Sequence, residues 1–165
     1  VEAFKLKGAQ GGALGQRYLA RDAAGRRRML EGEVARLPAS EIGPLFADHR
    51  PVMIDRVEWF ASPADLARRL AWFEDRRESR TGAEALRIMA LNPGPASDLV
   101  ERYDYIGYKG GSEPGLLSMT LLLRDKAGNR VSVISASWTD PAGPVDELRF
   151  SSLLRRAAEL LLDRR

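Results

Sequence analysis

The stretch from Arg102 to Trp138 constrains the fold most, because its apolar residues switch from a helical period to a period of two. Tyr103, Tyr105 and Gly107 fall on one face of the first segment, Ile106 and Tyr108 on the other. Leu116 to Arg124 is apolar almost throughout, as a strand covered on both faces should be. Asp125-Lys126-Ala127-Gly128-Asn129 has the composition of a hairpin turn, and Val131 to Trp138 reads as a third strand. Asp140-Pro141-Ala142-Gly143-Pro144 ends it. Beyond lie Phe150, Leu153, Leu154, Ala157, Leu160 and Leu161, an apolar stripe wide enough for a helix lying across a sheet. The expected class is α/β in the broad sense (α+β): antiparallel strands near 102–110, 115–124 and 130–138, with helices flanking the sheet and 145–162 closing the fold.

Upstream, the best-marked helix begins at Ser62, which can cap it, followed by Pro63 at the first helical position and Asp65 in the first turn. Leu66, Leu70 and Phe73 form its apolar face. A second helix is expected with Thr81 as cap and Glu84 completing a capping box, with Leu86 and Met89 buried and Asn92-Pro93-Gly94-Pro95 as the stop. Leu14, Tyr18, Leu19, Met29 and Leu30 give a patchier helical pattern with Gly32 as its stop. Residues 1–12 are apolar and basic, then glycine-rich, and 36–58, with Pro38, Pro44 and Pro51, read as an ordered surface loop. A chain of 165 residues fits one domain, 1–165.

Composition excludes more than it selects. With no cysteine there is neither a disulfide nor a thiolate metal site, and His49, the single histidine, reads as a loop residue. The net charge is +3, but the arginines at 26–28, 76–77, 155–156 and 164–165 are interleaved with acids, which argues against a nucleic-acid interface. The longest apolar run, Leu116 to Leu123, contains Ser118 and Thr120 and is too short to span a bilayer. No metal and no cofactor are expected.

The chemistry concentrates in Tyr105-Ile106-Gly107-Tyr108-Lys109-Gly110-Gly111-Ser112-Glu113-Pro114-Gly115. A strand ending in lysine and two glycines can aim an ammonium and backbone N–H groups into a cleft, since glycine admits a ligand that a Cβ would hold off. Lys-Gly-Gly on such a strand, with a Ser-Glu-Pro-Gly turn, two more strands and a final helix, resembles the Lys-(Thr/Ser/Gly)-Gly region of class A β-lactamase-like serine hydrolases and penicillin-binding proteins. The resemblance covers residues 55–165, through Ser62-Pro63-Ala64-Asp65-Leu66 and the Lys109 strand, and residues 1–54 only loosely. It implies that the chain is the C-terminal part of a larger domain whose five-stranded sheet takes two strands from sequence before Val1. Lys109 would be the catalytic motif lysine, Gly110 and Gly111 would bind substrate, and the Ser112 N–H would serve the oxyanion hole. The implied activity proceeds through an acyl-enzyme on a β-lactam or D-alanyl peptide, in a periplasmic or extracellular setting. Ser-x-x-Lys and Ser-x-Asn, the family's other motifs, occur nowhere in the 165 residues, so the chain alone should be inactive. Gly110 also replaces the hydroxyl residue usual in class A enzymes.

Other residues read as structural. Glu41 and Glu58 stand where a deacylating glutamate could lie, but read as surface or packing carboxylates. Trp59 and Phe60 should staple their loop to the core, Trp72 and Trp138 should pack, and Asp98, Glu101 and Asp104 should be solvated. The alternatives are a non-catalytic module of the same fold that binds peptidoglycan-like ligands, and an unrelated basic α+β domain with a nucleic-acid or protein partner.

Overall fold

The computed structural model describes residues 2–128 and 130–162, and shows an α+β chain. Its residues fall into two compact units. One takes in everything up to Phe60 together with Glu113–Leu116 and Thr139–Pro144; the other holds Ala61–Ser112, Leu117–Trp138 and Val145 onward.

The first unit is helical. Helices α1 (Glu2–Gly8), α2 (Ala13–Leu19) and α3 (Ala23–Met29) enclose Leu6, Ala9, Leu14, Val34 and Val57. The expected single helix over Leu14 to Leu30 is two, because the Asp22 side chain accepts from Gly25 N–H at 2.7 Å and caps α3 afresh. Gly32 does not stop it: the chain passes through a π-turn at Leu30–Val34 and stays helical to Arg36. Helix α1 carries no strong sequence signal, since Lys5 and Lys7 occupy buried positions. Lys5 Nζ donates to the Val34 carbonyl at 3.0 Å, in the last helical turn, where a cation satisfies a carbonyl lacking an intrahelical partner. The 36–58 segment is more than a surface loop, for it buries Ile54 and Val57 in this unit.

The second unit is built on a three-stranded antiparallel sheet in the order β1 (Tyr103–Glu113), β2 (Leu116–Asp125), β3 (Val131–Thr139). The sequential order, and helix α6 (Glu147–Leu162) across one face, are as the pattern implied. Ile106, Leu117, Met119, Leu121, Leu123, Ile134 and Trp138 meet Phe150, Leu154 and Ala158 there. Tyr105, Leu122 and Val133 face the other way, against Leu70 of α4 (Pro63–Glu74) and Leu86 of α5 (Arg80–Met89). Helix α4 starts as expected, with a complete Ser62/Asp65 capping box. Helix α5 starts earlier than expected: Ser79, not Thr81, is its cap, and Glu84 pairs with Arg87 at 2.7 Å instead of closing a capping box. The β2–β3 connection bonds Gly128 N–H to Asp125 O at 3.0 Å, and Asn129 of the expected turn lies outside the described residues.

Candidate functional site

Strand β1 carries the four residues singled out by sequence, and extends past them to Glu113. Lys109, Gly111 and Ser112 are exposed and Gly110 is half-buried. Lys109 Nζ donates to the Gly110 carbonyl and has no ion pair among the described residues. As the first strand in the sheet order, β1 is an edge, so its outward backbone groups are not used by a neighbouring strand. The ammonium and this edge are therefore available to an anionic ligand.

Gly110 has a packing reason to be glycine. A Cβ there would lie 2.1 Å from the Tyr108 hydroxyl oxygen, and one on Gly94 would lie 2.7 Å from the same ring. The Tyr108 ring is thus held between two glycines. Its burial, with Glu147 a smaller contributor, pushes the phenol above its ordinary range. The hydroxyl residue that the class A motif would place at this position has no room unless Tyr108 moves.

Sequence reading missed the most buried charged group among the described residues. Within the first unit, the fully buried Lys7 ammonium donates to both carboxylate oxygens of Glu113 at 2.8 Å, and also to Glu58. Glu58 is therefore neither a surface nor a simple packing residue, whereas Glu41 is exposed. Burial pushes Glu113 above the usual carboxylate range, and its hydrogen bond to Glu58 adds to that, while Lys7 opposes it. In Glu58 burial acts in the same upward direction, but hydrogen bonds from Lys7 and Glu113 outweigh it and hold the group low. Lys7 thus sits between two carboxyl groups whose surroundings push them in opposite directions, Glu113 up and Glu58 down. The trio fixes the end of β1. Nothing local in the sequence signals it, because Lys7 and Glu113 stand 106 positions apart. The turn that follows is pinned too. Gly115 has φ +79°, which with Pro114 before it is the type II signature, and its carbonyl accepts from Asp140 N–H at 2.7 Å.

A second charge network lies in the sheet unit. Arg124 on β2 grips both Glu74 oxygens at 2.9 Å, reaches Asp104 at 3.2 Å, and lies over the Tyr105 ring at 5.1 Å. Tyr105 donates to the Leu86 carbonyl at 2.8 Å, and burial pushes its phenol up to about 12. These contacts tie α4 and α5 to the sheet. Asp104 and Asp98 are accordingly paired rather than merely solvated, the latter with Arg155 at 2.6 Å. Trp138 packs edge-on against Phe150, but Trp72 is an exposed platform with the Arg76 guanidinium 4.1 Å above it. Trp59 and Phe60 are exposed too and staple nothing.

Among the described residues no group of three or more His, Asp or Glu side chains could hold a metal, and no helix is long and apolar enough to cross a membrane. Comparison with models of known protein families and with curated proteins gave no match to this chain. The class that stands on its own geometry is an α+β chain with an antiparallel three-stranded sheet.

Proposed function

We propose that this chain is the lysine-strand portion of a serine hydrolase of the β-lactamase and penicillin-binding-protein type, acting on a β-lactam or D-alanyl peptide through an acyl-enzyme. The observation that carries the reading is Lys109-Gly110-Gly111 on an exposed edge strand, followed by two antiparallel strands in sequence order and a helix across the sheet. In this reading Lys109 binds the substrate carboxylate. Gly110 and Gly111 let the substrate backbone approach, and the Ser112 N–H donates to the oxyanion that develops in the transition state. The serine nucleophile would come from polypeptide outside these residues, because neither Ser-x-x-Lys nor Ser-x-Asn is among them. The open edge of β3 is where further strands would join the sheet.

The test is covalent labelling of the full-length gene product by a fluorescent penicillin. Labelling is expected, and Lys109→Ala should slow it on the order of a hundredfold, the usual scale for losing an electrostatic group in a water-excluded site. Lys109→Arg should restore only part, since a planar fork does not replace a compact ammonium. Folded protein that takes up no label, or labelling indifferent to Lys109→Ala, refutes the assignment.

A further inference from the structure

The first unit contains a groove of about 290 Å³ whose lining includes Arg17, Arg21, Arg28, Arg36, Gly32 and Glu33. Four arginines and one glutamate line it, and Glu33 is already paired with Arg17. Arg21, Arg28 and Arg36 have no ion pair among the described residues. Three of the four groove arginines are thus left without a carboxylate partner among the described residues, so an anion entering the groove would meet positive charge not yet compensated.

The backbone is shaped to the same end. Arg28, Gly32 and Arg36 follow one another at four-residue intervals through the π-turn at Leu30–Val34. In a regular α-helix every fourth residue drifts round the axis, and the wider π-turn takes up part of that drift, keeping the row aligned. Arg36 folds back along this row, its Nε donating to the Gly32 carbonyl at 3.0 Å. Gly25, also in the lining, leaves room for the Arg21 stem, whose Cβ would be 3.1 Å from a Cβ added there.

We propose that this groove binds a small soluble ligand bearing a diphosphate group. Three unpaired guanidiniums match a group with two to three negative charges and several acceptor oxygens, and planar forks suit phosphate oxygens. The volume suits a compact ligand, at the lower end of small-molecule sites. The inference stands independently of the serine-hydrolase reading.

The experiment is calorimetric titration of the 165-residue chain with sodium pyrophosphate at pH 7.5 and about 0.15 M salt, where charges outside the groove are largely screened, with orthophosphate, heparin and duplex DNA as comparators. Saturable binding of one pyrophosphate per chain is expected, with orthophosphate at least about tenfold weaker because it offers fewer charge-assisted hydrogen bonds. Arg21→Ser and Arg28→Ser should each weaken pyrophosphate by about tenfold or more. Arg27→Ser removes the same charge from an exposed α3 position outside the lining, and should change the affinity less than about twofold. All these side chains are exposed, so thermal melts should be unchanged and unfolding cannot explain a loss. No saturable binding, an Arg27→Ser effect equal to that of Arg28→Ser, or heparin or DNA binding more tightly than pyrophosphate, would each overturn the proposal.

Discussion

Replacing Lys7 by Met tests the buried charge cluster most severely. Methionine keeps nearly the length and volume of the lysine stem, so little cavity forms, and the change isolates the loss of the ammonium. The Lys7 side chain is 0% exposed and its partners Glu58 and Glu113 only 18% and 6%, so water cannot readily replace the missing donor. Removing one member of a buried ion pair costs about 3–5 kcal/mol, because the partner's charge remains buried and uncompensated. Much of the stability of an ordinary domain is of that order. Urea denaturation at pH 7, with hydrogen exchange of the α1 amides to localise the loss, should report it. In Lys7→Met both carboxylates have raised folded pKa values, so stability is highest below the unfolded carboxylate value and falls as pH rises through the folded ones. Adding Glu58→Gln and Glu113→Gln should restore most of the stability at pH 7. A loss below about 1 kcal/mol, the range of solvated surface pairs, or no recovery in the triple variant, would refute the buried-cluster argument.

Three further outcomes follow from the same geometry. Since Glu113 is shifted up, its contribution is complete below the unfolded pKa and lost as pH rises through the folded one; Glu58, shifted down, contributes above the unfolded pKa and loses this as pH falls. Glu113→Gln should therefore gain stability relative to the native chain as pH is raised from mildly acidic to neutral, measured by paired melts; a pH-independent difference would show that Glu113 is not shifted up by folding. Gly110→Thr should displace Tyr108 and cost about 1–3 kcal/mol, with the tyrosine fluorescence or ring resonances changing in step; a neutral substitution would mean that the ring is not held as described. The β3 edge, where Val131 is 41% exposed, should drive concentration-dependent self-association in sedimentation velocity, reduced by Val131→Lys; a monomer at all concentrations would count against an open edge.

Some of this was legible without coordinates. The period-two pattern and turn residues gave the three strands and their order, and the Ser62-Pro63-x-Asp65 sequence gave the start of α4, because both signals act between residues close in the chain. Where two local signals competed, the choice was harder. Ser79 and Thr81 can each cap a helix, and Ser79 does so, turning its hydroxyl to Gly82 N–H at 3.1 Å. Trp72 looked like core because tryptophan usually is, yet its ring serves as an exposed stacking surface for Arg76.

The sequence by itself determined the strand pattern, the capped helix α4 and the closing helix, since each rests on periodicity or on neighbours a few residues apart, whereas the first strand, expected to end at Lys109-Gly110, runs on to Glu113. Only the tertiary structure decided which charges are buried together. Lys7, Glu58 and Glu113 meet across 51 and 106 positions, and Arg124 meets Glu74 across 50. The energy of such groups depends on how completely folding removes water from around them, and no local pattern of residues encodes that.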